Sequence, residues 1–199
     1  KMLLDTLVEK EIVHDLNDIK GVGHRVVQGG AYFDQSVIVD DEVIRKIDEL
    51  KDLAPLHNGA NLTGYFAFKE AIPDAGAVVV FDTAFHQTIE PRCYIYPIPY
   101  HFYEENKIRK YGAHGTSHFF VSKRCQELLG NPEHSKIIVA HLGAGGSLSA
   151  VKDGKCINTS MGFTPLAGIM MGTRSGDIDA SVIDYMIEKL GIDAKEVIH

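Results

Sequence analysis

The sequence predicts a mixed α/β protein, and three observations carry that prediction. Val43, Ile44, Ile47 and Leu50 recur at helical spacing, the stripe of a helix with one face on a core. The β-branched run Ala77-Val-Val-Val-Phe81 lies between Gly76 and Asp82, as a short buried strand would. After residue 135, strand-like segments alternate with glycine turns in the manner of a β-meander.

Taken in order, the first twenty residues read as a helix followed by a polar turn, and residues 25–28 as a short strand. Residues 40–53 form the helix with the apolar stripe, and residues 61–71 a second one, ended by Pro73. The strand at 77–81 delivers Asp82 at its carboxyl end, where open α/β sheets place their chemistry. Residues 91–99 read as an irregular, aromatic-rich connection, and 118–129 as an amphipathic helix with Gly130 as its C-terminal cap. A strand at 135–141 runs into Gly143-Ala-Gly-Gly146; a second strand (147–152), an Asp153-Gly154 turn and a third strand follow. Asp179 caps a final helix through Leu190, with Gly191 just beyond it.

A chain of 199 residues, 45% hydrophobic and 24% charged, matches ordinary globular composition and allows one large domain or two small ones. A net charge of -7 with no Lys/Arg run argues against nucleic acid as a partner, so any anion must be bound by a local site. No long apolar run and no signal peptide is visible, which predicts no membrane association. Cys93, Cys125 and Cys156 are odd in number, far apart and outside any CxxC spacing, as suits a reducing, cytoplasmic setting. Neither Lys1 nor His199 looks like a domain terminus, so the chain reads as a piece of something longer.

Several segments carry residue types suited to chemistry. Met170-Met-Gly-Thr-Arg-Ser-Gly-Asp177 frames Arg174 with glycines, and Gly21-Val-Gly-His-Arg-Val-Val-Gln-Gly-Gly30 does the same for Arg25. Two such arginines suggest a clamp on phosphate or carboxylate, against the plainer reading of solvated loop residues. His141-Leu-Gly-Ala-Gly-Gly-Ser147 lies between two strands and lacks a Gly-Lys-Ser/Thr ending, so it is neither a Walker loop nor a dinucleotide fingerprint. Its backbone N–H groups and Ser147 suit phosphate, unless it is simply a glycine-rich hairpin. Asp82 suits a base or an orienting carboxylate, or an ordinary turn aspartate. His114 and His118 stand four apart, a tempting zinc spacing, but Gly115 argues against one helix through both and no third ligand is in sight. His114 reads better as a loop donor to a substrate oxygen and His118 as the structural start of the following helix. His57, Asn58 and Asn61 either line a pocket or satisfy buried backbone, and residues 158–165 suit the wall of a site.

Six segments together, Gly-His-Arg-Val-Val (23–27), Leu-Ala-Pro-Leu-His-Asn (53–58), Phe-Asp-Thr-Ala-Phe-His-Gln-Thr (81–88), His-Gly-Thr-Ser-His (114–118), Thr-Ser-Met-Gly-Phe-Thr-Pro (159–165) and Met-Gly-Thr-Arg-Ser-Gly-Asp (171–177), resemble the acetate kinase family in order and spacing. The resemblance covers nearly the whole chain from about residue 20. It implies the two-lobed actin-like (ribonuclease H-like) α/β fold shared with heat-shock chaperones and sugar kinases. Residues 1–85 would form part of the N-terminal, acyl-substrate lobe and 86–199 part of the C-terminal lobe with the nucleotide-phosphate loop. It implies reversible phosphoryl transfer between ATP and acetate, giving ADP and acetyl phosphate, in a cytoplasmic homodimer with Mg²⁺. By this resemblance Asp82 orients or deprotonates the attacking carboxyl, and Arg25 binds the carboxylate or its phosphoryl group. His114 and Arg174 stabilise charge in flight. Val27, Leu56 and Pro165 wall the acetate methyl pocket, and His141, Leu142, Gly143, Ala144 and Gly145 form the nucleotide-phosphate loop.

The chain departs from the family's usual pattern at several positions. Ala144 and Gly146 replace the asparagine and alanine of the glycine loop, Ala113 a phenylalanine, Gln28 a histidine and Gly59 a proline. Ala113 suggests a larger acyl pocket, towards propionate; Ala144 bears on nucleotide affinity. The family's opening serine-rich loop, adenosine-binding segment and late magnesium-associated glutamate have no counterpart here, so Mg²⁺ ligands are expected outside this chain. A non-catalytic fragment and a zinc hydrolase are the competing readings.

Overall fold

A computed structural model describes residues 2–55 and 57–198. Eight α-helices and six strands are described: α1 (Met2–Glu9), β1 (Gly21–Val26), β2 (Val37–Ile38), α2 (Asp41–Glu49), α3 (Asn58–Ala71), β3 (Gly76–Phe81), α4 (Pro91–Tyr94), α5 (His101–Asn106), α6 (Gly115–Leu128), β4 (Lys136–Leu142), β5 (Gly146–Lys152), β6 (Lys155–Thr159), α7 (Ala180–Leu190) and α8 (Ala194–Ile198). The chain divides into two units, Lys1–Thr88 with Ala113–Phe119, and Ile89–Gly112 with Phe120–His199.

The first unit is built on a three-stranded sheet of order β1-β3-β2. β1 and β3 run parallel in the register Arg25↔Val80 and Val26↔Phe81, and β2 is antiparallel to β3. The crossover from β1 to β3 contains α2 and α3. Val26, Val79 and Phe81 pack with Val43 and Ile47 of α2, Leu62 of α3 and Phe33, whose ring stacks on Phe81 at 4.2 Å. Asp40 caps α2 by accepting from the Val43 N–H at 2.8 Å, which satisfies one of the orphan donors of the first turn.

The second sheet is the expected meander, β4-β5-β6, antiparallel throughout. Its second turn is Asp153-Gly154, with φ of 50° and 78°, the left-handed pair of a tight two-residue hairpin. α7 begins at the Asp179 cap and ends at Gly191, φ 67°, as its flanking residues predict.

Five sequence readings differ from the structure. The strand expected at 25–28 spans Gly21–Val26, because beyond Val26 the backbone N–H groups are taken by side chains instead of a ladder. The run 77–81 is covered on one face only: Val79 and Phe81 are buried, Val78 is exposed. α3 starts at Asn58, its first turn closed by the Asn61 N–H on the His57 carbonyl at 2.9 Å. The connection at 91–99 opens with the helical turn α4, with Pro91 in the first-turn position that costs it no hydrogen bond. α6 starts at Gly115, not residue 118: the His118 N–H reaches the His114 carbonyl at 3.0 Å.

Candidate functional site

The period-2 geometry of β1 and β3 brings the first two candidates together. Arg25 pairs in register with Val80, and Asp82 lies two residues beyond Val80, so all three side chains leave the same face of the sheet. This is the face opposite the core formed with α2 and α3. The guanidinium of Arg25 meets the Asp82 carboxylate as a fork: Nε donates to Oδ1 at 2.8 Å and Nη2 to Oδ2 at 2.5 Å. Asp82 is 2% exposed and the Arg25 side chain 63%, so a buried carboxylate holds a cation whose outer edge faces solvent. The hydrogen bonds from Arg25 to this carboxylate raise the arginine's pKa further, against the opposing cost of desolvation.

Backbone contacts fix the aspartate in turn. Its N–H donates to the Val26 carbonyl at 3.0 Å, and its carbonyl accepts from the Gly115 N–H at 2.8 Å. A Cβ on Gly115 would lie 2.2 Å from that carbonyl oxygen, so only glycine permits the approach. The preceding residue, His114, takes φ 62°, a left-handed conformation uncommon for non-glycine residues, immediately before this contact in the chain. Behind it stand two buried histidines: the His118 ring lies 6.5 Å from His114 and 5.9 Å from His86, centroid to centroid. Burial, with His118 and His114 nearby, lowers the His86 pKa to about 3, so this imidazole is neutral near pH 7.

The strap 27–30 that follows β1 is held by α3 and by the residue after Asp82. Asn58, fully buried, accepts from the Gln28 N–H at 3.1 Å and donates to the Gln28 carbonyl at 3.0 Å. Asn61 accepts from the Val27 N–H at 3.2 Å, and Thr83 from the Gly29 N–H at 3.0 Å. Asn58 and Asn61 thus satisfy buried backbone and orient Val27. Gln28 is buried with its Oε1 accepting from the Gly30 N–H at 2.9 Å. Ala113 is buried as well. Leu56 lies outside the described residues.

The second unit holds the other candidates. Arg174 donates from Nη1 to the Pro165 carbonyl at 2.8 Å, and its own carbonyl accepts from the Met171 N–H at 2.9 Å. Asp177, the carboxylate three residues on, pairs with the loop and not with Arg174: its Oδ1 accepts from the Gly168 N–H at 2.8 Å. Gly176 needs to be glycine, with φ 73° and a Cβ position 2.4 Å from the Gly168 carbonyl oxygen. The hairpin between β4 and β5 lies against this loop: a Cβ on Gly146 would meet Ile169 at 3.0 Å, and one on Gly172 the Ala144 carbonyl at 4.0 Å. Within the hairpin the Gly143 N–H is taken by the Gly145 carbonyl at 3.0 Å, which removes one donor from any outside anion. Leu142, Gly143 and Ala144 are exposed and His141 is partly covered.

Each unit therefore holds one of the two glycine-framed arginines. In the first, Arg25 is forked on Asp82 and the Asp82 carbonyl is bonded to Gly115, the residue after His114; in the second, Arg174 is bonded to Pro165 in the loop against which the hairpin of residues 141–145 lies. From the sequence, His86 and Thr83 carry no site role, and Gly115 reads only as a break between His114 and His118. His86, four residues after Asp82, was the most visible signal; the Gly115 contact spans 33 residues and left none. Among the described residues no group of three or more His, Cys, Asp or Glu side chains is placed to hold a metal ion. No helix among the described residues is long and apolar enough to cross a membrane, and Cys93, Cys125 and Cys156 form no disulfide among the described residues.

Comparison with known proteins gives a single direction. The model of the acetokinase family matches residues 1–199. The chain is 56% identical over 200 residues to the acetate kinase of Bacillus subtilis (strain 168), covering 100% of this chain and 51% of that protein. It is 55% identical over 201 residues to the acetate kinase of Caldanaerobacter subterraneus subsp. tengcongensis, covering 100% and 50%. Among solved structures, it superposes on Porphyromonas gingivalis acetate kinase with a TM-score of 0.94 at 43% identity, covering 98% of this chain and 50% of that one. On a propionate kinase from Francisella tularensis subsp. tularensis SCHU S4 the TM-score is 0.92 at 47% identity, covering 98% and 50%. The chain spans about half the length of the curated relatives it matches.

Proposed function

The chain belongs to the acetokinase family and has its actin-like α/β fold, and from that premise we propose that it carries part of an enzyme transferring a phosphoryl group reversibly between ATP and acetate. The observation that supports this most is the Arg25–Asp82 fork at the carboxyl end of two parallel strands. On this reading the open edge of Arg25 takes the substrate carboxylate or its phosphoryl group, and Asp82 orients or deprotonates the attacking carboxyl. His114 and Arg174 offset charge on the phosphoryl oxygens, which a loose transition state spreads over three positions. Val27, Leu56 and Pro165 enclose the methyl group, and residues 141–145 receive the nucleotide phosphates.

In lobe terms, residues 1–85 belong to the acyl-substrate side and 86–199 to the nucleotide side. Magnesium neutralises phosphate charge when bound, with protein ligands outside this chain. Acetate or acetyl phosphate and ATP or ADP are the partners, in a cytoplasmic homodimer without nucleic-acid or membrane association. Propionate is the second reading, favoured by the small side chain of Ala113 and the likeness to a propionate kinase.

The test is to incubate the chain with ATP, Mg²⁺ and acetate, propionate or butyrate, trapping acyl phosphate as the hydroxamate. Acetyl hydroxamate in excess supports the primary reading and propionyl hydroxamate in excess the second. No acyl phosphate from any acid, with the chain folded, supports a non-catalytic fragment.

A further inference from the structure

Asp82 uses both oxygens on Arg25, and it takes one particular edge of the guanidinium. Nε and one Nη2 hydrogen face the carboxylate, leaving one Nη1 hydrogen and the second Nη2 hydrogen as a parallel donor pair on the end-on edge. That outer edge makes no hydrogen bond to the described residues and belongs to a side chain 63% exposed. The aspartate is held more firmly than the arginine: it is buried, its N–H is on the Val26 carbonyl and its carbonyl on the Gly115 N–H. A short-chain carboxylic acid, moreover, has a pKa near that of Asp or Glu, about 4 to 5, so at neutral pH it already carries the charge an attacking oxygen needs. A general base has nothing to remove from it.

We infer that Asp82 is a positioning residue that acts through Arg25, anchoring one edge of the fork so that the other receives the substrate anion end-on. This deepens the carboxylate-kinase reading and rests on its assignment of Arg25 to the substrate. It narrows the two roles open to Asp82 to one.

The sign of a single substitution separates the alternatives. Removing a negative charge beside an anion site strengthens anion binding by Coulomb's law, since a carboxylate repels its ligand. Removing an anchor leaves the long arginine side chain to wander and weakens binding. Titrating acetate and inorganic phosphate into the ¹⁵N-labelled chain, read at the Arg25 Nε–H resonance and the backbone amides, measures both. In the wild type the Nε–H signal is expected to be sharp and exchange-protected before ligand is added, and to shift as anion binds. D82N is expected to lose that protection and to bind either anion about tenfold more weakly, the scale of one charge-assisted hydrogen bond. D82E keeps the charge but displaces the fork by a methylene, and is expected to fall between the two; it decides the matter should D82N fail to fold. Affinity in these variants equal to or above that of a wild type that binds would overturn the positioning role alone. A folded wild type that binds neither anion would instead overturn the carboxylate reading and this inference with it.

Discussion

Arg25 and Arg174 look alike in sequence, each bracketed by glycines, yet the two units hold them in different ways. Arg25 rises from a strand and is gripped by a buried carboxylate through two hydrogen bonds. Arg174 sits in a loop and rests on one backbone carbonyl, while its neighbouring carboxylate closes the loop. A glycine frame therefore says that an arginine is displayed, not how firmly. What sets firmness is the partner, and the partner of Arg25 is 57 residues away. The first arginine is preset before any ligand arrives; the second has most of its donors free to follow one.

The contrast can be broken or sharpened by measurement. The largest effect is expected on activity: under the phosphoryl-transfer reading, Arg174→Ala lowers the rate about 10³-fold. Its unfolding free energy should stay within about 0.5 kcal/mol of the parent. Arg25→Ala should lose activity and also about 2 kcal/mol of stability, because it leaves Asp82 buried without its fork. Equal stability losses from the two alanine variants would mean that the two arginines are held equally firmly.

Next in size is Gly115→Ala, whose methyl would press on the Asp82 carbonyl at 2.2 Å. A loss of about 3 kcal/mol is expected in denaturant unfolding, together with loss of the protected Arg25 Nε–H signal. A variant as stable as its parent would show that the glycine contact does not fix the aspartate.

The third effect is a pH dependence confined to the first unit. His86 has a folded pKa of about 3 against 6.5 in the unfolded chain. The unfolded state thus binds the proton first, and the stability tied to neutral His86 is complete above about pH 6.5 and is lost as pH falls. Between pH 6.5 and 5 the loss is about 2 kcal/mol. Chemical denaturation across that range should show it, and His86→Asn should flatten the slope. An unchanged slope in the variant would assign the acid sensitivity elsewhere.

The smallest effect is expected from Gly172→Ala in the Arg174 loop. Its methyl meets the Ala144 carbonyl only at 4.0 Å, an ordinary contact, so stability should change by less than about 0.5 kcal/mol. A loss as large as that of Gly115→Ala would mean that the second loop is as tightly built as the first.

The parts of the molecule legible in the sequence are those decided by near neighbours. The Asp179 cap, the Asp153-Gly154 turn and Gly191 all act within a few residues, and each has its expected place. The end of β1 and the start of α6 differ from the sequence expectation because their determinants are distant: Asn58 and Thr83 take the donors after Val26, and Asp82 anchors Gly115. The candidate residues themselves were visible as types in a pattern. Their pairing was not, since nothing local to Arg25 announces Asp82, and nothing local to Asp177 announces that it serves Gly168.

The hydrogen bond from Gly115 to Asp82 also bears on how the chain can be divided. Ala113–Phe119, which contains Gly115, belongs to the first unit although the residues on both sides belong to the second. A gene segment ending at residue 88 would encode Arg25 and Asp82 but omit His114, and a segment beginning at residue 89 would carry that histidine away from its aspartate. The clamp is thus stitched from two separate stretches of coding sequence. Shuffling or truncating near residue 88 cannot transfer it as a cassette; any transplant must graft both stretches together.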